Sequence, residues 1–313
     1  MLRRIGPAPC APRSTRRSDS GAAPDIAFIM TSAAPSIHIA PTLATMAEMY
    51  RLSREGGPRS ERFRAYVGHV EHEWGIVAYN PMAGDPALRA VEQLIDLDAE
   101  PLTARAARTV AERCEYDGPI TLAVVVRSRG MWTDRVATEI ELRASPVTAP
   151  TGRGIVTLWA GEPADEPLVS REAIAETVRV MSTARHGSAR TLVEILWREG
   201  LAYALAADLV PLSEGEAASI QPDSLWAPAT EADTLAVSTA IEVLGDSTSL
   251  GEITSVLLGD SSAETMGWPA LGIPNRAGYR WAIRHASRVL ALSGAEAALR
   301  AQAPMSNALS APR

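Results

Sequence analysis

Apolar residues recur at the spacing of a core-facing helix in the segment from Ser188 to Ala207. The apolar stripe of this helix consists of Leu192, Ile195, Leu196, Ala202, Tyr203 and Ala206. Glu199 lies on the same stripe, so its carboxylate is predicted to point into the interior of the protein. An ionised carboxylate there needs a partner, because unpaired burial costs several kcal/mol or raises the pKa until the group is neutral. The function of the chain is therefore expected to depend on what Glu199 faces.

Helical periodicity also marks two longer parts of the chain. Four helices are predicted between residues 42 and 114, and a second helical part is predicted over residues 170–292. The second part begins with a helix capped by Ser170 and ends with a strong helix from Asn275 to about Leu292.

Strand patterns separate the two helical parts. Residues 120–126 form a β-branched run, residues 136–142 alternate between apolar and polar side chains, and residues 154–160 form a third apolar run. The connections between these runs are too short for helical crossovers, which favours antiparallel pairing within residues 119–161. We therefore predict an α+β fold that is mostly helical, with a small antiparallel sheet in the middle of the chain.

The boundaries of the domain follow from composition. Residues 1–35 are rich in Arg, Pro, Ser and Ala, and they predict a disordered tail. Residues 36–295 contain no repeat of fixed period and no long linker, and they are predicted to form a single α+β domain. Residues 296–313 are rich in alanine and are predicted to fray.

Composition excludes several classes of protein. All 30 basic residues are arginine, which excludes Schiff-base enzymes, P-loop phosphate sites and protein kinases, because each of these needs the amine of lysine. The net charge of -7 argues against a nucleic-acid partner, and no apolar run is long enough to span a membrane. Cys10 and Cys114 offer no disulfide framework, so a reducing compartment, the cytoplasm, is predicted. Cys114 is expected to be a small buried hydrophobe rather than a nucleophile.

Histidines and arginines supply further candidate sites. His69, His72 and Glu73 are close enough on a predicted helix for two of them to share a metal ion, and the alternative is a solvated helix face. A ladder of arginines at steps of four residues can hold an anionic ligand or cover a solvated helix face: Arg276, Arg280, Arg284 and Arg288. For Glu199 itself, the structural alternative is an ion pair with an arginine nearby in the sequence: Arg185, Arg190 or Arg198.

Two motifs carry a resemblance to a known family. The sequence reads E-G-L-A from Glu199 to Ala202 and P-N-R-A-G-Y from Pro274 to Tyr279. With their surroundings, these motifs resemble the bacterial predicted zinc-dependent proteases of the gluzincin type, over residues 165 to 292. The resemblance implies a zincin-like fold, with Glu199 as the third zinc ligand and Tyr279 as a second candidate catalytic residue. In that family, a zinc-activated water attacks a peptide carbonyl.

The sequence departs from this family at the motif H-E-x-x-H, which is absent. The resemblance places Glu176 and Thr177 at the first His and the Glu, and Val180 at the second His. His186 is thirteen residues before Glu199, but it lacks the companion Glu and second His. A zinc site of this type cannot be completed from these residues.

We therefore predict a zincin-like protein that has lost its metal site and its peptidase activity, and that needs no cofactor. It is predicted to bind a peptide or small molecule between the Ser170 helix and the Glu199 helix, with Arg276 and Arg280 as candidate binding residues. One alternative is a metal-dependent hydrolase, in which zinc is held by Glu199 with relocated histidines: His69, His72 or His186. Another alternative is an interaction scaffold without cleft chemistry. No membrane or nucleic-acid partner is predicted.

Overall fold

The described part of the chain is largely helical and contains a small parallel sheet. The computed structural model describes residues 35–56, 58, 60–61, 63–64, 66–67, 84–128, 135–144, 152–162 and 164–302. Three strands pair in the order β1 (Ile37–Ala40), β2 (Ile120–Arg127) and β3 (Arg153–Trp159). Both pairings are parallel, with Ile37 opposite Ile120 and Thr121 opposite Arg153. The prediction of an antiparallel sheet is therefore wrong, although the mixture of many helices with a small sheet agrees with an α+β fold.

The second predicted strand is helical, and this explains the error. Helix α4 (Arg135–Glu139) continues into a π-helical turn (Ile140–Ala144), in the region predicted as a strand over residues 136–142. Ile140, Arg143 and Ala144 are buried at positions i, i+3 and i+4, which is the spacing of a helix face rather than of alternate strand positions. The Nε of Arg135 donates to Glu139 at 2.9 Å, one helical turn away. Because the connection from β2 to β3 contains this helix, it is long enough to return the chain in parallel.

In the described part of the chain, three helices with defined ends lie between β1 and β2, and further helical residues lie within 60–67. The three helices are α1 (Thr42–Arg54), α2 (Asp85–Asp96) and α3 (Ala99–Arg113), in the part of the chain where four helices are predicted. Cys114 follows α3 and is fully buried, which confirms that it is a core residue, and burial raises the pKa of its thiol to about 11. Among the described residues, no helix is both long and apolar enough to cross a membrane.

Helices form the rest of the domain. They are α5 (Glu166–His186), α6 (Leu192–Leu209), α7 (Glu214–Ser219), α8 (Glu231–Leu244), α9 (Leu250–Leu258), α10 (Asp260–Thr265), α11 (Ala277–Ser293) and α12 (Ala295–Arg300). Helix α5 begins one turn before the predicted Ser170 cap, because Asp165 caps it by accepting a hydrogen bond from the Leu168 N–H at 2.8 Å. The predicted fraying from residue 296 is wrong for α12, whose Ala298 and Leu299 are buried. Residues 303–313 and most of the predicted tail, residues 1–34, lie outside the described residues.

Helix α6 lies at the centre of the packing. Thr191 and Glu194 form a capping box at its start, and every residue from Ile195 to Ala206 is buried. Helices α5 and α11 both pack against it. The contact with α11 is very close at Gly200, because a Cβ placed there would lie 2.5 Å from the carbonyl oxygen of Ala282. The glycine that follows Glu199 is therefore required by the approach of two helix backbones.

Gly200→Ala is expected to lower the free energy of unfolding by about 2 kcal/mol, because the added methyl group overpacks a backbone contact that cannot yield. Urea unfolding measures the change. Gly215→Ala in α7 is the matched control, since a Cβ there has no atom within 4 Å. Equal effects of the two substitutions would contradict the close approach of α6 and α11.

Candidate functional site

The carboxylate of Glu199 points inward, as predicted, and is fully buried. The Nε of Arg179 donates to both of its oxygens, at 3.1 and 3.0 Å, and the Nη2 of Arg179 donates to Oε2 at 2.8 Å. The Nε of Arg198 donates to Oε1 at 3.1 Å. Both oxygens of Glu199 are therefore occupied by guanidinium donors from the two neighbouring helices α5 and α6.

A second buried carboxylate, that of Glu176, shares the same cations. Its Oε2 accepts from the Nη1 of Arg179 at 3.2 Å and from the Nη1 of Arg143 at 2.8 Å. Its Oε1 accepts from the backbone N–H of Ile155 on β3, at 3.0 Å. The Nη2 of Arg198 completes the arrangement by donating to the Arg143 carbonyl at 2.7 Å. We call this set the buried ion network: Arg143, Glu176, Arg179, Arg198 and Glu199.

The charges of this network are mutually stabilising. Burial alone would raise the pKa of Glu199, but Arg179, Arg198 and Arg143 outweigh it and lower the value to about 2. Burial would lower the pKa of Arg179, but the two carboxylates raise it well above its usual range. Glu199 and Arg179 are therefore both charged at any ordinary pH.

A cavity of about 300 Å³ lies beside the network, at the carboxyl end of β3. We call it the β3 cavity. Arg143 belongs both to its wall and to the buried ion network. Its lining is formed by Arg135, Thr138, Glu139, Leu142, Arg143, Thr157, Leu158, Trp159, Glu162, Leu168, Glu172, Tyr203, Ser224, Leu225, Trp226, Arg276 and Tyr279. The combination of aromatic, aliphatic and charged side chains around one small space is typical of a ligand pocket.

Glu172 and Tyr203 connect the cavity to the network. The hydroxyl of Tyr203 donates to Glu172 at 3.4 Å, and the guanidinium of Arg179 lies 4.9 Å from the centre of the Tyr203 ring. Burial raises the pKa of Glu172 above its usual range, although Arg143 and Arg179 oppose the shift. Burial and the charge of Glu172 raise the pKa of Tyr203 to about 12. The wall thus presents a carboxyl group that takes up a proton more readily than an ordinary glutamate.

Tyr279, the second candidate catalytic residue, also lines the β3 cavity. Only 2% of its surface is exposed, and its ring packs edge-on against Tyr203 at a centroid distance of 5.7 Å. Burial, together with the charge of Glu199, raises its pKa well above the usual range of a phenol. Tyr279 is therefore a neutral wall residue at ordinary pH.

The arginine ladder divides between the cavity and the core. Arg276 lines the β3 cavity, and its Nη2 donates to Glu139 at 2.6 Å. Arg280 is 5% exposed and does not line the cavity, because its Nε and Nη2 donate to Asp233 at 2.9 and 2.7 Å. The solvated-face alternative is wrong for Arg280, whereas Arg284 and Arg288 are exposed.

The candidate histidines are not brought to Glu199 by the described part of the structure. His186 lies seven residues after Arg179, about 10 Å further along α5, and its Nε2 is 2.8 Å from the Leu299 carbonyl oxygen. His69 and His72 lie outside the described residues. Within the described ranges, no group of three or more His, Cys, Asp or Glu side chains is placed to hold a metal ion.

The sequence reasoning missed Arg179, the main partner of Glu199. Of the three arginines proposed as partners, only Arg198 pairs with it, and Arg185 instead donates to the Glu115 carbonyl at 3.4 Å. A usable signal was present in α5, where all residues from Ala173 to Met181 are buried. Glu176 and Arg179 are opposite charges one turn apart within that buried stretch, which favours a shared internal ion pair.

The residues that balance charge in the buried ion network differ from those that are available to bind a ligand. Glu199 cannot serve as a general base, because its pKa is far below neutrality and its oxygens already accept four hydrogen bonds. Glu172, Tyr203, Arg143 and Arg276 are among the polar residues that line the β3 cavity and can contact a ligand. No protein-family model, no curated protein and no solved structure matches the chain.

Proposed function

We propose that the chain is a binding protein for a peptide or small ligand, that it holds no zinc at Glu199, and that it is not a peptidase. The observation that carries the proposal is the occupation of both Glu199 oxygens by guanidinium groups. A zinc ligand needs a free lone pair, and a divalent cation would be repelled by a fixed positive charge about 3 Å from the same carboxylate. Arginine does not lose its proton in proteins, so it cannot make room by becoming neutral. The residues around Glu199 therefore do not fit a zinc ion.

The resemblance to the zinc-dependent family supports the same proposal when the family's metal motif is aligned one residue earlier on α5, with its first His at Ala175 instead of Glu176. In H-E-x-x-H, the two histidines are four residues apart on one helix face. The residue of α5 that faces Glu199 is Arg179, and four residues before it stands Ala175, followed by Glu176. We infer that A-E-x-x-R stands where that family has H-E-x-x-H. Ala175 has no ligand atom, and Arg179 brings its own positive charge to the carboxylates.

The β3 cavity supports a binding role. Its volume of about 300 Å³ is at the small end of ligand pockets. The N–H of Ile155 points away from β2 toward Glu176, and strand alternation directs the N–H groups of Thr157 and Trp159 to the same edge. That edge, beside the cavity, offers main-chain groups to an extended peptide. Helices α5 and α6 pack directly against each other, so the cavity replaces the cleft predicted between them.

The competing alternatives lack comparable support. A hydrolase based on Glu199 would need this carboxylate released from two arginines, and a scaffold without cleft chemistry does not account for the charged cavity. A cytoplasmic location and the absence of a nucleic-acid partner stay predictions from the cysteine content and the net charge of -7.

The zinc content of purified protein tests the proposal. The wild-type chain is expected to retain well under one zinc per chain after dialysis against zinc and then against buffer, as measured by plasma mass spectrometry. The double variant A175H/R179H removes both hydrogen bonds to Oε2 of Glu199, which Arg198 does not contact, and supplies two imidazoles, so it is expected to retain about one zinc. A175H/R179M is the matched control, because it removes the same guanidinium but supplies only one imidazole.

The proposal would be overturned by about one zinc in the wild-type chain that disappears in E199A. Peptidase activity of the wild-type chain that is abolished by a chelator would overturn it as well. Zinc uptake by A175H/R179H that is lost on adding E199A would instead establish that Arg179 occupies the place of the ion.

A further inference from the structure

Two arginines enter the β3 cavity from different elements with donors to spare. Arg143 comes from the π-helical turn and Arg276 from the residue before α11. In the described part of the chain, the Arg143 side chain donates to Glu176 and the Arg276 side chain donates to Glu139. A guanidinium carries five N–H donors in a planar fork, so each arginine keeps donors for a further acceptor. This is the donor arrangement that binds a carboxylate in a bidentate way.

Among the described residues, guanidinium groups outnumber ionised carboxylates around the β3 cavity. Six guanidinium groups lie in its wall or directly behind it: Arg127, Arg135, Arg143, Arg179, Arg198 and Arg276. Four carboxylates pair with them through ion pairs of the described residues: Glu139, Glu162, Glu176 and Glu199. Among the described residues, two positive charges are left over when the remaining carboxyl, that of Glu172, is neutral, and one is left over when the exposed Glu141, which attracts Arg127, is counted as well. An anion is the ligand that such a wall attracts.

Arg127 contributes an imperfectly paired cation behind the wall. It is 2% exposed, its Nη1 donates to the hydroxyl of Thr138 at 3.3 Å, and its Nε has no acceptor among the described residues. Burial lowers the pKa of Arg127, and the attraction of the exposed Glu141 does not offset this cost. Thr138 itself lines the β3 cavity, so the field of Arg127 reaches it.

The wall also contains a buried hydroxyl without a partner. Thr157 is 8% exposed, and its Oγ1 makes no hydrogen bond within the part of the chain that the structure describes. An unpaired buried hydroxyl costs free energy unless something supplies its hydrogen bond. Its place in the wall of the cavity makes a bound acceptor the natural partner.

Glu172 is the one carboxyl of the wall without an ion pair among the described residues. It faces Arg143 of the π-helical turn, Arg179 and Glu176 of its own helix, and Glu139 of α4, besides Tyr203 of α6. The neutral form of Glu172 can donate a hydrogen bond to a ligand oxygen, whereas its ionised form would repel an anion.

Apolar side chains form the rest of the lining. Trp159 and Trp226 stand among four leucines: Leu142, Leu158, Leu168 and Leu225. Building on the proposed binding function, we propose that the β3 cavity selects a ligand with a carboxylate and an apolar body. Arg143 and Arg276 hold the carboxylate, while the two tryptophans contact the body.

Three small probes test this selectivity. N-acetyl-phenylalanine carries the carboxylate, N-acetyl-phenylalanine amide is its uncharged isostere, and 3-phenylpropionate carries the carboxylate without a peptide group. We expect the acid to bind at least about 10-fold more tightly than the amide, by titration calorimetry with tryptophan fluorescence as a second readout. Equal binding of both acids would identify a simple carboxylic acid as the ligand class, and stronger binding of the acetylated acid would identify a peptide carboxyl terminus.

Variants locate the effect at the cavity. R276Q is expected to reduce the preference for the acid over the amide to less than about 3-fold, and R276K is expected to retain part of it because the charge is kept. R284Q is the matched control, since Arg284 is exposed on α11, the helix that begins directly after Arg276, and lies outside the lining of the cavity. E172Q is expected to preserve or increase affinity for the acid, because it removes the competing carboxylate. Circular dichroism of each variant establishes that it folds.

The possible failures are distinguishable. Equal affinity for the acid and the amide, or loss of the preference in R284Q as much as in R276Q, would overturn the carboxylate proposal and leave a binding function standing. Absence of binding by all three probes would overturn the carboxylate proposal too, while the zinc measurements decide independently whether Glu199 is free of zinc.

Discussion

Arg179→Met is expected to lower the free energy of unfolding by about 3–5 kcal/mol, because it leaves a buried carboxylate without its main counter-ion. Glu199 is fully buried, and Arg179 supplies three of the four hydrogen bonds to its carboxylate. Arg198 would remain as its only cation at bonding distance among the described residues. Methionine keeps most of the volume of the arginine stem, so the change isolates the charge from the packing.

A double-mutant cycle separates the pair from its surroundings. Removing both partners in R179M/E199M is expected to cost less than the sum of the single variants by at least about 2 kcal/mol, because the double variant leaves no orphaned charge of this pair. Urea unfolding at pH 7 measures all four chains. Arg51→Met is the control, since the Arg51–Glu92 pair is exposed and such pairs contribute at most about 1 kcal/mol. An effect of R179M no larger than that of R51M would contradict the buried ion network.

Acid is expected to remove about 3 kcal/mol of stability through Glu199 alone. Its pKa is about 2 in the folded chain against an ordinary 4.5, so the unfolded chain binds a proton first as pH falls. A lowered pKa of this kind gives stability that is fully present above about pH 4.5 and is lost as pH falls toward 2. The size of this stability loss follows from the difference of about 2.5 pKa units between the folded and unfolded chain, at about 1.4 kcal/mol for each unit.

The comparison with E199Q isolates this contribution. Asp233, Asp260 and Glu194 also have lowered pKa values, held down by their hydrogen-bond partners against the effect of burial, so the wild-type chain loses stability in acid from several groups. The difference in unfolding free energy between wild type and E199Q is expected to be largest near pH 6 and to shrink by about 3 kcal/mol by pH 2. Urea unfolding at a series of pH values measures it. A difference that stays constant with pH would mean that Glu199 is not an ionised, paired carboxylate.

Sequence patterns located most helices, because an amphipathic stripe survives in the sequence wherever a helix has one buried face. They failed for the sheet for two physical reasons. The apolar and polar residues of 136–142 alternate, but this segment is helical, and the burial of Ile140, Arg143 and Ala144 follows the turn of a helix. Strand β1 is only four residues long and no strand is predicted there from the sequence, yet it pairs with β2 in parallel.

The candidate site was predictable only in part. The inward position of Glu199 followed from helical phase alone, and the structure confirms it. Its partner did not follow, because Arg179 is 20 residues away and reaches Glu199 only through the packing of α5 on α6. The placement of Trp159, Trp226 and Arg276 around one cavity depends on three separate parts of the chain, which no local pattern brings together.

An arginine between two carboxylates accounts for several features at once. Arg179 forms ion pairs with Glu199 and Glu176, lies against the ring of Tyr203, and links α5 to α6. Under the proposed function, the fold keeps the inward E-G-L-A carboxylate while the β3 cavity binds the ligand. The stability of the fold is therefore expected to depend on an arginine at position 179.

Anomalous diffraction at the zinc absorption edge, from crystals grown with zinc in excess, tests the central claim most directly. We expect density for the Arg179 guanidinium within about 3 Å of both Glu199 oxygens, and no anomalous peak beside them. An anomalous peak within about 2.2 Å of a Glu199 oxygen, with Arg179 turned away, would contradict the account.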